Sequence, residues 1–379
     1  AKVERRGEGR WSVRGCGIGS VLAPSKTLDF GNSGTGMRLM MGVFGSHPIT
    51  ATFDGDASLR QRPMQRILDP LCAMGAEVLA HTPGGRCPIL LKGTSEPVPI
   101  TFSPPIASAQ SKSAVLLAGL NSPGRTTVIE AEATRDHTEK MLKYFGASIE
   151  TGPFAKHGQK ITLEGRPDLR PARVIVPSDP SSAAFPLVAA TIVPRSDIVI
   201  EGMMMNPLRT GLLATLLEMG ADIDILDRRA EGSEEVANLR VRAANLRGVD
   251  VPAARVPSMI DEYPILAVAA AFASGETRMR GLSELRVKES DRLGAVADGL
   301  REARVANQIV DDDLIIEGRA GDVLGGGVVK THLDHRIAMS FLCLGLASQR
   351  PMAIDDSSMI ATSFPEFQAL MEQLGARFQ

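Results

Sequence analysis

The sequence predicts an α/β protein that repeats a unit of about 75 residues and is arranged in two globular lobes. A short marker recurs six times along the 379 residues: an alanine, then any residue, then an apolar one. The six copies begin at Ala1, Ala76, Ala147, Ala221, Ala303 and Ala376. A second signature keeps the same period, namely a polar or glycine-rich turn followed by a helix rich in Ala and Leu. One signature alone could arise by chance, but two in phase indicate a true repeat.

The marker predicts where helices end and strands begin. In four copies the alanine follows a glycine, at Gly75, Gly146, Gly220 and Gly375. A stretch of helical periodicity precedes each glycine, as in residues 212–219. Glycine is the preferred residue just beyond a helix C-terminus because it adopts a left-handed conformation without strain. We therefore expect a helix to end at each glycine and a strand to follow.

The second signature predicts helix N-termini. The five turns comprise residues 31–36, 108–111, 178–182, 261–262 and 334–336. Short β-branched runs between the signatures, at 126–130, 174–176 and 198–200, are typical of strands. A solenoid is the alternative architecture, but solenoid units are shorter than this repeat. We expect two lobes, residues 1–171 and 172–379, with the boundary in the proline-containing segment 170–173.

Composition narrows the class of protein. Apolar residues make up 44% and charged residues 23%, which is typical of a globular chain with a sizeable core. Lys plus Arg number 42 against 44 Asp plus Glu, so no overall basic charge indicates a nucleic-acid partner. The four cysteines show no CxxC spacing, which disfavours a disulfide scaffold or structural zinc and favours a reducing, cytoplasmic setting. The apolar runs 263–273 and 337–347 are about half a membrane span, so no membrane association is expected.

The predicted helix N-termini suggest an anion site. Helix N-termini carry unpaired N–H groups and partial positive charge, so several of them together bind anions without an excess of basic residues. Cationic residues stand at or near the same turns: Arg62, Lys112, Arg135, the segment 286–292 and Arg336. Arginine suits bidentate binding of phosphate or carboxylate. A ligand with more than one anionic group is therefore expected.

Each of these features also has a plainer interpretation. The segment 286–292 has the charge pattern of a solvated helix face. Residues 31–36 lack the lysine of a Walker A loop and do not match GxGxxG. His332 and His335 have the spacing of metal ligands, but no third ligand cluster lies nearby in sequence. Asp261 fits a helix N-cap as well as a general base.

Five segments together resemble one enzyme family. They read LDFGNSGTGMR at 28–38, QRPM at 61–64, SAQSK at 108–112, RVKESDR at 286–292 and DHRIAM at 334–339. Jointly they resemble EPSP synthase, or 3-phosphoshikimate 1-carboxyvinyltransferase, in its divergent bacterial branch. The resemblance implies a two-lobed, inside-out α/β barrel with three βαβαββ units per lobe. It also implies transfer of the enolpyruvyl group of phosphoenolpyruvate to shikimate 3-phosphate by addition and elimination, in aromatic amino acid biosynthesis.

The resemblance assigns roles to particular residues. Those implied to bind shikimate 3-phosphate are Ser108, Ala109, Gln110, Arg135, Asp261 and Lys288. Those implied to bind phosphoenolpyruvate are Asn32, Gly34, Arg62, Gln110, Arg292, His335 and Arg336. Asp261 resembles the base that deprotonates the attacking hydroxyl, Glu289 the acid and base at the methylene carbon, and Lys288 lies beside them among the catalytic residues. The family implies neither a metal nor an organic cofactor.

The sequence also departs from the family pattern. The family's Pro-Gly-x-Lys-Ser motif would precede Ala1, so we expect further residues there, in the parent protein or as a separate N-terminal fragment, and low activity without them. Thr362 replaces a lysine found in many members, and Leu39 a proline, as in the branch that includes glyphosate-tolerant enzymes. Tolerance there accompanies a methyl group at the position of Gly34, so glyphosate is expected to compete here.

Two other functions are compatible with the same resemblance. A carboxyvinyltransferase acting on UDP-N-acetylglucosamine shares the fold, but it relies on a cysteine in a mobile loop. None of the four cysteines lies beside a matching loop that carries glycine and arginine. A binding module that keeps the fold without the essential lysine is the other alternative. Release of phosphate from shikimate 3-phosphate plus phosphoenolpyruvate distinguishes these possibilities.

Overall fold

The computed structural model describes residues 1–378 and divides the chain into two compact units. The first unit is Ala1–Ala172, and the second begins at Arg173. Each unit has its own buried hydrophobic cluster: one runs from Met37 to Leu163 and the other from Ala183 to Met371. Each unit therefore buries apolar surface in a core of its own.

The first unit holds two four-stranded sheets and a separate hairpin. Its strands are β1 (Lys2–Gly7), β2 (Arg10–Arg14), β3 (Leu28–Asp29), β4 (Thr50–Asp54), β5 (Glu77–Thr82), β6 (Arg86–Lys92), β7 (Thr101–Phe102), β8 (Arg125–Glu130), β9 (Ile149–Phe154) and β10 (Gly158–Glu164). Its helices are α1 (Gly34–Gly45), α2 (Ala57–Gln61), α3 (Gln65–Ala73), α4 (Ala109–Gly119) and α5 (His137–Tyr144). The sheet orders are β3-β4-β6-β5 and β7-β8-β10-β9, and β1 pairs with β2.

The second unit repeats the same kinds of element. Its strands are β11 (Asp197–Met204), β12 (Asp222–Glu231), β13 (Glu234–Arg242), β14 (Asp250–Val251), β15 (Ser274–Met279), β16 (Asn307–Val310), β17 (Asp313–Arg319), β18 (Val328–Val329) and β19 (Ala353–Ile354). Its helices are α6 (Pro180–Ile192), α7 (Gly211–Glu218), α8 (Val256–Met259), α9 (Tyr263–Phe272), α10 (Arg292–Glu302), α11 (His335–Gly345) and α12 (Phe367–Gln373), with 3₁₀ turns at Ala253–Arg255, Ser283–Val287 and Ser358–Thr362. The sheets run β11-β13-β12, β14-β15-β17-β16 and β18-β19.

Four successive segments, β3 to β6, β7 to β10, α6 to β13 and β14 to β17, follow the order β-α-β-α-β-β, with α2 and α8 as additional short helices. In β3 to β6 the short first strand pairs in parallel with the second strand, and the last two strands form an antiparallel hairpin whose final strand also pairs with the second. The repeats β7 to β10 and β14 to β17 have the same pairing. In the repeat that contains α6, a single parallel bridge between Ser178 and Met203 replaces the first strand. The sequence repeat is thus a structural repeat.

Five helices, α1, α4, α6, α9 and α11, are mostly buried in their units, whereas α5 and α12 bury only two residues each. Every residue of α9, with the sequence YPILAVAAAF, is buried. A helix that is apolar on all sides is stable only when packed on all sides. In the first unit α1 packs on α4, and in the second α6, α9 and α11 pack on one another. Strands such as β8 alternate buried and less buried residues, as expected for an outer sheet with one covered face.

The helix ends agree with the sequence prediction, with one correction. Gly75, Gly146 and Gly220 have φ values of +105°, +93° and +89°, the left-handed conformation of a residue that terminates a helix. After Gly220, the N–H of Ala221 donates to the carbonyl of Leu216, five residues back. The marker copy at Ala303 is out of register by two residues, because there the equivalent bond runs from Val305 to Leu300. Arg304, at φ +63°, takes the place of the glycine.

The predicted helix starts are confirmed, whereas one predicted strand is wrong. Helices α1, α4, α6, α9 and α11 begin at or within the five turns. Residues 174–176 form no strand, and Val176 is 84% exposed. Pro171 and Pro177 flank this segment and lack the N–H that a ladder requires. Within residues 1–378 no helix is long and apolar enough to cross a membrane.

Gly42 permits the close approach of α1 and α4, so Gly42→Ala should destabilise the first unit. A Cβ at position 42 would lie 2.2 Å from the carbonyl oxygen of Ala114. We expect the free energy of unfolding, measured by urea titration, to fall by about 2 kcal/mol through overpacking. Gly152→Ala is the matched control, since nothing lies within 4 Å of its added Cβ. Equal stability of the two variants would contradict the close contact.

Candidate functional site

Four helix N-termini meet in the second unit through side-chain contacts. Ser181 Oγ, at the start of α6, donates to Glu262 Oε1 at the start of α9 over 2.5 Å. Arg292, the first residue of α10, contacts Asp261 Oδ1 at 3.2 Å and Asp334 Oδ2 at 2.8 Å. Asp261 precedes α9 and Asp334 precedes α11. The partial positive charges of these four helix ends are therefore concentrated in one region.

Arg292 is the centre of this region. Its side chain is 1% exposed and contacts three carboxylates, those of Asp334, Asp261 and Glu289. Burial by itself lowers the pKa of a guanidinium and is the largest influence here, but the three carboxylates outweigh it and raise the pKa of Arg292 above its usual value. A permanently charged arginine thus holds three acidic groups together.

Asp334 contacts Arg292 and is the N-cap residue of α11. Its Oδ1 accepts a hydrogen bond from the backbone N–H of Arg336 at 2.9 Å, and its Oδ2 accepts one from Ser290 Oγ at 3.0 Å. Burial is the largest influence on the pKa of Asp334 and would raise it, but Arg292 lowers it further, so the net pKa is below the usual value. In the sequence Asp334 is identified only as part of a turn. The preference of aspartate for helix N-cap positions is the signal that could have indicated its role.

Asp261 and Glu289 reach both Arg292 and solvent. Their side chains are 17% and 20% exposed. Lys288 Nζ lies 4.0 Å from Asp261 Oδ1, and Arg336 Nη1 donates to the backbone carbonyl of Asp261 at 3.3 Å. The structure therefore brings five of the residues assigned from the sequence into one cluster: Asp261, Lys288, Glu289, Arg292 and Arg336. Partly exposed carboxylates beside fixed cations can exchange protons with a bound ligand.

The segment 286–292 is not a solvated helix face. Ser283–Val287 is a 3₁₀ turn, and α10 begins only at Arg292, capped by Asp291 Oδ1, which accepts from the N–H of Gly294 at 3.1 Å. Arg286 contacts Asp291 and Asp312 at the surface, away from the cluster. The irregular backbone before α10 is what allows neighbouring residues of this segment to contact different partners.

His335 is buried, in contrast to His332. Burial, and then the positive charge of Arg336, lower the pKa of His335 to about 4. The imidazole is therefore neutral at pH 7. His332 is exposed and has φ +51° in the turn before α11. The two histidines have different surroundings, and their spacing in sequence provides no support for a shared metal.

In the first unit, Asn32, Gly34 and Arg62 come together at the start of α1. Arg62 Nη2 donates to Asn32 Oδ1 at 2.9 Å, and Asn32 Nδ2 donates to Asp56 Oδ2 at 2.7 Å. Ser33 caps α1 by accepting from the N–H of Gly36. A Cβ at Gly34 would lie 3.1 Å from Arg62 Nη1, closer than most Cβ contacts. The absence of a side chain at position 34 therefore leaves room for the guanidinium.

The start of α4 meets α1 through Gln110. Its Nε2 donates to Thr35 Oγ1 at 2.7 Å, and its Oε1 accepts from Arg38 Nη1. Ser108 caps α4 by accepting from the N–H of Ser111 at 3.3 Å, and Ala109 is the first helical residue. Arg38 was not assigned a role from the sequence. Its position four residues after Gly34, on the same face of α1, was the signal that could have identified it.

Arg135 and Lys112 differ sharply in environment. Arg135 lies in the loop 131–136 between β8 and α5, with a half-buried side chain. The expectation that Lys112 contributes to an anion site is wrong. Its ammonium is fully buried, at 2.9 Å from Glu130 Oε2 and 2.8 Å from Glu139 Oε1. Two carboxylates already neutralise it.

Comparisons with known proteins identify the family. A family model for EPSP synthase (3-phosphoshikimate 1-carboxyvinyltransferase) matches residues 2–371. The 3-phosphoshikimate 1-carboxyvinyltransferases of Methylorubrum populi and a Bradyrhizobium species are 64% and 63% identical, over all of this chain and 84% and 85% of theirs. The EPSP synthase structure from Acinetobacter baumannii is 40% identical with a TM-score of 0.86, covering 99% of this chain and 84% of the other.

The architecture is that of an enolpyruvyl transferase. The enolpyruvyl transferase NikO from Streptomyces tendae, at 20% identity and a TM-score of 0.65, covers 90% of this chain and 75% of its own, and shares the fold. The predicted α/β class with two lobes of repeated βαβαββ units is confirmed. The family model and the relatives above 60% identity together show that the chain belongs to the EPSP synthase family.

Because His335 resists protonation in the fold, stability should fall as the pH is lowered from about 6.5 to 4. In that range His335 binds a proton in the unfolded chain but stays neutral in the folded protein, because burial lowers its pKa there to about 4. The loss reaches about 3 kcal/mol at the lower end. Urea titration of wild type and His335→Gln across this range should show a shallower pH dependence in the variant. Parallel pH profiles would contradict the assignment.

Proposed function

We propose that this chain transfers the carboxyvinyl group of phosphoenolpyruvate to the 5-hydroxyl of shikimate 3-phosphate, releasing phosphate, in aromatic amino acid biosynthesis. The observation that carries the proposal is the cluster around Arg292. Two partly exposed carboxylates, Asp261 and Glu289, contact the same buried guanidinium. Addition followed by elimination needs one group for the hydroxyl proton and another for the methylene carbon. The relatives at 64% identity carry the corresponding name.

The substrate assignments rest on the family motifs. For shikimate 3-phosphate we assign Ser108, Ala109, Gln110 and Arg135 of the first unit, with Asp261 and Lys288 of the second. For phosphoenolpyruvate we assign Asn32, Gly34, Arg62 and Gln110, with Arg292, His335 and Arg336. Two helix N-termini and the Arg62 guanidinium support anion binding in the first unit. Both substrates are anionic, and helix N-termini with a few arginines can bind them although the net charge of the chain is near zero.

The assignment of Arg292 has a structural consequence. Its nitrogens already contact Asp334, Asp261 and Glu289. Asp334 is buried and also caps α11, whereas Asp261 and Glu289 reach solvent. The contacts of Arg292 with its three carboxylates occupy four of the five guanidinium N–H groups. Phosphoenolpyruvate can therefore reach Arg292 through the remaining N–H of Nη1 or by displacing Asp261 or Glu289. A carboxylate displaced in this way would lie next to the bound substrate.

The proposed steps balance with residues of the chain alone. Asp261 takes the proton of the 5-hydroxyl of shikimate 3-phosphate as the hydroxyl oxygen bonds to C2 of phosphoenolpyruvate. Glu289 gives a proton to the methylene carbon. The tetrahedral intermediate then returns a proton from that carbon to Glu289, and the double bond re-forms as the bond between C2 and the phosphate oxygen breaks. The proton held by Asp261 passes to the departing phosphate. Arginines and helix N-termini, held in place before the reaction, stabilise the phosphate and carboxylate charges.

Phosphate release tests the proposal, and its rate is expected to be low for the 379-residue chain, which lacks the family's Pro-Gly-x-Lys-Ser motif. It should require both substrates, and Asp261→Ala or Glu289→Gln should lower kcat on the order of 100-fold with smaller changes in KM. Glu317→Gln, an exposed carboxylate of β17 outside the cluster, is the control and should match wild type. Binding of shikimate 3-phosphate without any phosphate release would favour the binding-module alternative. The absence of both substrate binding and phosphate release would overturn the proposal.

Gly34→Ala should weaken phosphoenolpyruvate binding selectively. The added Cβ would lie 3.1 Å from Arg62 Nη1 and displace a guanidinium that Asn32 holds. We expect KM for phosphoenolpyruvate to rise about tenfold, equivalent to about 1.4 kcal/mol, with KM for shikimate 3-phosphate unchanged. Inhibition by glyphosate, the expected competitor, should weaken as well. Gly15→Ala, where nothing lies within 4 Å, is the control. An unchanged KM for phosphoenolpyruvate would contradict the role of the glycine.

A further inference from the structure

We propose that Lys112 is a positioning residue that sets the place of Arg135, and through it the affinity for shikimate 3-phosphate. The inference rests on the proposed function, which assigns Arg135 to that substrate. Lys112 lies one turn into α4, two residues after the Ser108–Gln110 segment assigned to the same substrate. It is fully buried, so it acts through its neighbours and not by contact with the ligand.

The Lys112 ammonium connects α4 to both ends of the loop that carries Arg135. Its Nζ lies 2.9 Å from Glu130 Oε2, at the end of β8, and 2.8 Å from Glu139 Oε1, in the first turn of α5. It also donates to the backbone carbonyl of Thr134 at 3.2 Å, within the loop 131–136. One cation thus contacts the element before the loop, the loop itself and the element after it.

Glu130 completes the restraint on Thr134. The Thr134 hydroxyl donates to Glu130 Oε1, and the Thr134 backbone N–H donates to Glu130 Oε2 at 3.4 Å. Gln159 Nε2, on β10, donates to the same Oε2 at 3.0 Å. Thr134 is therefore held at its N–H, its hydroxyl and its carbonyl. Because Arg135 is the next residue, the backbone that carries its guanidinium starts from a fixed point.

The charges of this network require Lys112. Two buried carboxylates share one ammonium, and burial raises the pKa of Glu139 despite the opposing effect of Lys112. Without the cation, Glu130 and Glu139 would be two buried like charges near one another, which is strongly unfavourable. The network would relax by moving or protonating a carboxylate, and the loop 131–136 would lose its attachment to α4.

A second contact between α4 and α5 provides a matched control. Ser113 Oγ and Thr138 Oγ1 form a hydrogen bond of 2.7 Å one residue beyond Lys112 and one before Glu139. It joins the same two helices without touching Thr134. A variant at Ser113 therefore tests helix packing separately from the restraint on the loop.

The decisive variants are Thr134→Val and Lys112→Met, with Ser113→Ala as control. Thr134→Val keeps the side-chain shape and removes only the hydroxyl, so it tests the inference even if Lys112→Met fails to fold. We expect the Kd for shikimate 3-phosphate, from calorimetry, and its KM to rise about tenfold in Thr134→Val, with kcat and KM for phosphoenolpyruvate within about twofold. Ser113→Ala should match wild type. Equal affinity in Thr134→Val and wild type would overturn the inference.

A double-mutant cycle separates positioning from general destabilisation. If Thr134 acts through Arg135, adding Thr134→Val to Arg135→Ala should change the Kd less than about twofold, since the side chain being positioned is already gone. A full tenfold further loss in that background would overturn the inference. Hydrogen exchange without ligand should show faster exchange at residues 131–136 in Thr134→Val than in Ser113→Ala, and equal exchange would also overturn it. Failure of wild type to bind shikimate 3-phosphate would instead overturn the proposed function, while hydrogen exchange still tests the restraint.

Discussion

The second unit depends on one interaction, the contact of buried Arg292 with Asp334, Asp261 and Glu289. It joins the starts of α9, α10 and α11, whose remaining contacts are largely apolar and directionless. Apolar packing brings these helices together, but it does not set the angle or depth of a carboxylate to a fraction of an ångström. The bidentate geometry of arginine does. The cost of isolating three carboxylates without their cation makes this arrangement hard to exchange for another.

The first unit uses the same principle with a different cation. Lys112 is enclosed by Glu130 and Glu139 beside the start of α4, as Arg292 is enclosed beside the start of α10. In each case a buried cation organises the segment around it, and residues nearby, such as Arg135 and Asp261, remain partly exposed. The net charge of the chain is near zero, which is consistent with this pairing, because many of its Lys and Arg side chains form ion pairs with carboxylates of the same fold.

Sequence reasoning succeeded where local chemistry decides. Turns rich in Ser, Asp and Gly predicted the starts of α1, α4, α6 and α11, each of which is capped by a Ser or Asp side chain adjacent in the chain. The start of α9 was also predicted, although it has no side-chain cap. Sequence reasoning failed at residues 174–176, where β-branched residues have the propensity for a strand but flanking prolines prevent pairing. The marker copy at Ala303 is out of register by two residues, because Arg304 adopts the left-handed conformation that glycine usually provides. Neither difference could be detected from periodicity.

The sequence by itself determined the repeat, the helix starts and the motifs that assign the chain to its family, since each depends on residue type and spacing along the chain. Only the tertiary structure decided what each charge does. In the sequence Lys112 and Arg292 are both cations near predicted helix starts, and the structure shows that two carboxylates contact Lys112 and three contact Arg292. Their partners lie between 3 and 42 residues away in sequence, and burial sets the strength of each pair. Distance through space and exclusion of water are properties that no linear pattern records.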